Sequence, residues 1–213
     1  MSLLYQSNPY TVSQKENAIR TILEQSLPDR DFYFLLIGAI LLAISGIFLD
    51  SIAVLIASMI VAPLAYPILA LGLGIVVADM KLIARSLGML VIALIVGMVG
   101  ASIITFFFGH LRVDPIFISF GSNLYIATFI ALIAGFVAAY GMVRSKVGGA
   151  LTGIGIAVSL MPPLVATGIS LTNRISFDPA NTFIIFLLNV GGILVGSIFV
   201  FWIMGFSKIY GKK

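Results

Sequence analysis

Polar residues dominate positions 1–30, and from Phe32 onward the chain becomes a series of apolar runs with brief polar punctuation. A helix needs roughly 20 apolar residues to cross a hydrocarbon core of about 30 Å. Six runs meet that length: 32–49, 51–78, 84–109, 124–142, 147–171 and 181–205. Asp50-Ser51 is nearly the whole connection between the first two. It predicts a tight helical hairpin in which Asp50 caps the second helix. The loops at 110–123 and 172–180 contain Asp114-Pro115 and Asp178-Pro179, both turn-forming pairs. In the polar segment, Ser13 and Glu16 have the spacing of a capping box. Ala18, Ile19, Ile22, Leu23 and Leu27 then share one face, and Pro28 stops the helix. This predicts a short amphipathic helix over 13–27, lying at the membrane surface or against the bundle. Because its apolar face is narrow, a solvated tail helix is the alternative.

Composition turns these runs into membrane spans rather than buried core helices. Hydrophobic residues make up 61% of the chain and charged ones 9%, against about 25% charged in soluble domains. That is too little charge to cover a surface in water, and a mean hydropathy of +1.18 says the same. The expected fold class is all-α: a polytopic membrane protein with a cytoplasmic segment at 1–30, a membrane domain at 31–207 and a basic tail at 208–213. No secretory signal pattern precedes the first span.

The net charge of +4 is explained by where the basic residues stand. With the N-terminus inside, one side holds Lys15, Arg20, Arg30, Lys81, Arg85, Arg144, Lys146, Lys208, Lys212 and Lys213; the other holds Arg112 and Arg174. Such a bias predicts that both termini are cytoplasmic, in a prokaryotic cytoplasmic (inner) membrane. The positive charge then faces anionic lipid headgroups, and no nucleic-acid partner is expected.

Spans two and five carry the unusual chemistry. Span two contains Ser58-Met59-Ile60-Val61-Ala62-Pro63-Leu64-Ala65-Tyr66-Pro67, and span five contains Ser159-Leu160-Met161-Pro162-Pro163-Leu164. A proline has no amide hydrogen, and its ring clashes with the carbonyl four residues back. Pro63 and Pro67 are expected to free the carbonyls of Met59 and Pro63; Pro162 and Pro163 those of Val158 and Ser159. Freed carbonyls in a bilayer must face protein, water or a ligand. Span two, at about 42 Å of ideal helix, also has room for a break.

The two fragments occupy the middle helix of each three-span half, about 31–109 and 123–206. Three is an odd number, so the second half enters the membrane in the opposite sense. This is the inverted 3+3 repeat of many secondary transporters. The functional reading is a midplane site for a small solute or ion, built from Ser58, Pro63, Tyr66, Pro67, Ser159, Pro162 and Pro163. The plain alternative is a pair of proline kinks whose freed groups are satisfied by Ser58, Ser159 and neighbouring helices.

Other residues fill in the picture. Asn189 is the most polar residue well inside a span; it serves an interhelical hydrogen bond or lines a polar path. Tyr66 gates a passage or fills the kink. Gly149-x-x-x-Gly153 and Gly192-x-x-x-Gly196 have the spacing of close-packed membrane helices, within the bundle or between copies in a homo-oligomer. Trp202 and Tyr210 suit an interfacial belt. No charged residue stands at the centre of a span, which argues against a buried proton relay. With no cysteine and a single histidine, His110, neither thiol chemistry nor a metal site of the usual kind is expected. No phosphate-binding loop or nucleophile motif occurs either, so an enzyme is not expected, and no cofactor.

The chain resembles the membrane proteins grouped as domain of unknown function 389. The resemblance rests on the run from Asp50 to Ile68, including Met59-Ile60-Val61-Ala62-Pro63-Leu64-Ala65-Tyr66-Pro67. It rests equally on Gly149-Ala150-Leu151-Thr152-Gly153-Ile154-Gly155-Ile156-Ala157-Val158 leading into Met161-Pro162-Pro163-Leu164. It departs from the pattern at Ala57-Ser58, where a Gly-Ala pair is expected, and lacks the extra soluble domain many relatives carry before the spans. The resemblance implies the six-span fold over roughly 30–205 and a prokaryotic source. Two functions stay open: a transporter or channel, and a non-transporting membrane scaffold or accessory subunit.

Overall fold

The computed structural model describes residues 12–108, 124–144, 160–172 and 178–207. They form eight helices: α1 (Val12–Gln25), α2 (Arg30–Phe48), α3 (Ile52–Val61), α4 (Ala65–Val77), α5 (Met80–Phe108), α6 (Leu124–Val143), α7 (Met161–Thr172) and α8 (Pro179–Ile203). Four of them (α2, α5, α6 and α8) are each long and apolar enough to cross a membrane. α3 and α4 are long and apolar enough only when taken together, as a pair bent by 48° at a short break. α7 is the second part of the span expected at 147–171; the first part, with Ser159, Gly149 and Gly153, lies outside the described residues.

Acidic side chains open three of these helices. Asp29 Oδ1 accepts from the Phe32 amide at 2.8 Å, and Asp79 Oδ1 from Lys81 and Leu82 at 3.0 and 3.1 Å. Asp178 Oδ1 accepts from Ala180 at 3.0 Å, with Pro179 in the first helical position. A carboxylate there satisfies orphan amides and complements the helix dipole, and proline at the first position forfeits no hydrogen bond. The second helix departs from expectation, because Ser51 caps it and Asp50 does not. Ser51 Oγ accepts from Val54 at 3.4 Å, while Asp50 takes the left-handed turn conformation at φ 52°. Aspartate tolerates that conformation, and the hairpin is tight enough to need it. A β-carbon on Gly46 would lie 2.9 Å from the Leu55 amide nitrogen.

α1 resolves its two alternatives in favour of the bundle. It begins at Val12, so Ser13 lies within the helix instead of capping it. Ala18 and Ile22 are buried along with Lys15 and Ser26, and α1 packs on α4 and α6.

The centre of the bundle is α4, in which Ala65 and every residue from Pro67 to Gly74 is buried. α4 packs against both α5 and α8, and so does α7. Their directions follow from the side chains that meet. α4 turns directly into α5 and is antiparallel to it, with Gly74 against Ile83. α7 runs parallel to α5: Leu164 meets Gly97, Gly168 meets Met98 and Ala101, and Thr172 meets Ser102. α4 and α7 therefore run in opposite directions. α6 and α8 are parallel and very close, since Gly192 lies on the Thr128–Leu132 turn and Gly196 on the Leu132–Phe136 turn. The predicted glycine pair thus packs helices within one chain.

Apolar side chains such as Phe34, Phe106 and Tyr125 are 78%, 75% and 89% exposed, an outer surface suited to lipid and not to water. The described basic residues gather at one end. There Arg85 Nη2 donates to the Ser26 carbonyl at 3.4 Å, and Lys15 Nζ stands 5.8 Å from the Phe206 ring centre. Arg30, Lys81 and Arg144 open α2, open α5 and follow α6 at this same end. The opposite end holds Asp50 and Asp178 and no basic residue among the described ones.

Candidate functional site

The break in span two is a short extended step between two helices. Ala62 closes α3 with its amide donating to the Ser58 carbonyl at 3.1 Å, then turns extended at ψ 125°. Pro63 follows with no amide to offer Met59, so the ladder stops there as the proline chemistry requires. Pro67 makes no further interruption of the ladder. It is the third residue of α4, in the first turn, where an amide would have had no helical partner. Pro162 and Pro163 are likewise the second and third residues of α7, and the helical ladder there starts with the Leu164 amide on Leu160 O at 3.3 Å. These prolines start half-helices. In a bilayer this removes orphan donors that water cannot satisfy.

The two half-helices begin at the same depth. Ala65 is nine residues, or about 14 Å, before Gly74, which faces Ile83. Nine residues further along antiparallel α5 is Ile92. Met161 is three residues before Leu164, which faces Gly97; three residues back along parallel α5 is Leu94. Both N-termini thus lie at a similar depth, level with the midpoint of α5.

The predicted site residues divide around this level. Ser58 is buried, and its Oγ donates to Leu55 O at 2.6 Å, within its own helix. Pro63, Tyr66, Pro162 and Pro163 are half-buried, while Pro67 and Met161 are buried. α3 and α2 both pack against α7. Asn189 is buried on α8. α4 begins without a side-chain cap, its preceding residue being Leu64. A surface cavity of about 680 Å³, lined by Val76, Val77, Asp79, Lys81 and Ser207, lies at the basic end and not at the break.

Several hydroxyls tie α7 in place. Thr167 Oγ1 donates to Pro163 O at 2.7 Å and lies 3.1 Å from Thr182 Oγ1 on α8. Ser102 Oγ donates to Gly168 O at 2.8 Å, and Thr172 Oγ1 to Ser102 O at 3.2 Å. A serine or threonine in an apolar run gives no hint of its partner; only the register of α5 against α7 does. Ser102→Ala is expected to destabilise the fold by about 0.6 kcal/mol, the average for such bonds in a membrane bundle. Thermal unfolding in detergent measures it.

The family model described as domain of unknown function (DUF389) matches residues 59–195. An uncharacterised protein of the archaeon Methanocaldococcus jannaschii is 34% identical over 173 residues, covering 81% of this chain and 54% of that protein. The chain thus spans about half the length of this relative. No solved structure matches. The matched region starts at the end of α3 and runs through both half-helices into α8, so the chain belongs to the DUF389 family.

Proposed function

We propose that this chain is a transporter or channel for a small solute or ion, built as an inverted repeat around its two half-helices. The observation that carries the reading is the matched placement of α4 and α7. Each starts at mid-depth and lies between α5 and α8, and the two run in opposite directions. Exchanging α4 with α7 and α5 with α8 preserves these neighbours and directions: antiparallel within a half, parallel between halves. The first helices of the two halves complete it, with α2 opening at the basic end and α6 closing there. Two half-helix N-termini at one level form the kind of midplane site found in transporters of this architecture. Backbone groups at Ala62–Leu64, with Ser58, Tyr66, Pro162, Pro163 and Asn189 around them, would line the path. The basic end faces the cytoplasm, in the inner membrane.

The scaffold reading is favoured by the packing of the break, where Pro67 and Met161 are buried and Ser58 Oγ is already bonded. A homo-oligomer draws no support from Gly192 and Gly196, which are occupied by α6 of the same chain.

A chain without cysteine allows a direct test. Single cysteines at Ser58, Tyr66, Ser159 and Thr167 are treated with a membrane-impermeant thiol reagent, in intact cells and in inverted vesicles. Labelling at these positions is the expected result, and labelling that alternates between the two sides selects a transporter over a pore. If none of them reacts while cysteines at Asp114 and Lys146 do, the midplane is dry. The scaffold reading then replaces transport.

A further inference from the structure

We infer that α1 is a lid that closes the basic end of the path. The inference rests on the transport reading and adds the gate to it. α4 is the half-helix that leads from mid-depth to the basic end, and α1 packs across α4 and α6 there. Its underside is the row Lys15, Ala18, Ile22 and Ser26, spaced by three, four and four residues as one helical face requires. The α4 segment from Ile68 through Leu69, Ala70 and Leu71 to Leu73 carries apolar side chains only, and Ser197 Oγ of α8 lies against its Gly72. The opposite half of the interior, around α7, carries Thr167, Ser170 and Thr182 in buried positions. Buried hydroxyls therefore gather around α7, and on the α1 side the interior is mostly aliphatic, with Ser86 and Ser197 as its buried hydroxyls and a docked helix covering it.

The attachment is of the kind that opens. Among the described side chains of α1, Ala18 and Ile22 are the fully buried apolar ones, with Ile19 and Leu23 half-buried against the same core. Two cationic contacts hold the ends of the face: Lys15 over the Phe206 ring and Arg85 on the Ser26 carbonyl. The outer face carries the exposed Arg20–Glu24 pair at 2.7 Å, which adds little. An element with so few buried contacts opens at far lower free energy than α4, which is enclosed on all sides. The link from Ser26 to Asp29 keeps an opened α1 beside its site.

The test uses the full chain with a reporter cysteine at Tyr66 or Leu73, in three backgrounds: the natural α1, Ile22→Asp and Ala18→Glu. Each substitution puts an unpaired carboxylate on the docking face, outside the membrane spans, so that α1 detaches while the bundle stays folded. Faster tryptic cleavage at Lys15 and Arg20 verifies detachment. Impermeant thiol reagent is then applied from the basic side in inverted vesicles, and from the other side in cells. The expected result is labelling from the basic side that rises at least about tenfold once α1 is detached, with labelling from the other side unchanged. Detachment without a change in basic-side labelling overturns the lid and leaves transport standing, provided that the reporters react from the other side. Reporters silent from both sides in every background overturn the lid and the transport reading together.

Discussion

Leucine in place of Gly196 will force α6 and α8 apart and lower the thermal stability of the solubilised protein by several degrees. A β-carbon at Gly196 would meet the Leu132 carbonyl oxygen, and stand 2.9 Å from the Phe136 amide nitrogen. Both are backbone atoms of a packed helix, so no side-chain rotation relieves the overlap. Overpacking of a core ordinarily costs about 1–3 kcal/mol. Here α6 itself must move, and the loss is expected at or above the top of that range. Gly135 faces the same constraint from the other helix, since its β-carbon would meet the Ile193 carbonyl. The control is Gly191→Ala, one residue from Gly192 yet with nothing within 4 Å of the added carbon. It is expected to be neutral or to stabilise by up to about 1 kcal/mol, because alanine is the better helix former. Equal losses from Gly196→Leu and Gly191→Ala would refute the close α6–α8 crossing.

Leu164→Ala and Gly97→Ala will each destabilise the protein, and the double variant will be more stable than the sum of the two predicts. Leu164 is fully buried, in the first turn of α7. Truncating it leaves a cavity and costs about 2–5 kcal/mol by the measure of soluble cores. In a bilayer, most of this is lost packing, because lipid is as apolar as leucine. The β-carbon of Gly97→Ala would stand 2.7 Å from Leu164 Cδ2, too close for both to fit. Removing the leucine branch makes room for that methyl group, so the double-mutant cycle should show coupling of about 0.5–3 kcal/mol. Thermal or denaturant unfolding of the four proteins in one detergent measures it. Additive losses would mean that α7 does not begin beside the middle of α5, and the shared depth of the two half-helices would fall with it.

Four of the expected spans coincide with long apolar helices, and the span expected at 51–78 with the bent pair α3 and α4, because their cause is local. A run of apolar residues bounded by Asp29-Arg30, Asp50, Asp79 and Asp178 has no other way to satisfy its backbone in lipid than as a helix. The break at Pro63 was legible for the same reason, since a missing amide interrupts the ladder wherever the chain goes. Pro67, Pro162 and Pro163 were harder. A proline's effect depends on whether it stands inside a helix or in its first turn, and that depends on where the helix restarts. The cap at Ser51 in place of Asp50 turned on a single residue of register in a tight hairpin.

What the sequence by itself determined, then, is an apolar, charge-poor membrane protein with a break in its second span and an asymmetric placement of basic residues. Only the tertiary structure decided which faces meet. It put α4 and α7 between α5 and α8 in opposite directions, set Gly192 and Gly196 against α6, paired Thr167 with Thr182, and laid α1 across the basic end. The physical reason lies in the solvent. In water, burial of an apolar stripe announces which side of a helix is inward. In lipid, both sides are apolar, and the inward side is chosen by close fit between small residues and facing backbone, which no single helix carries in its own sequence.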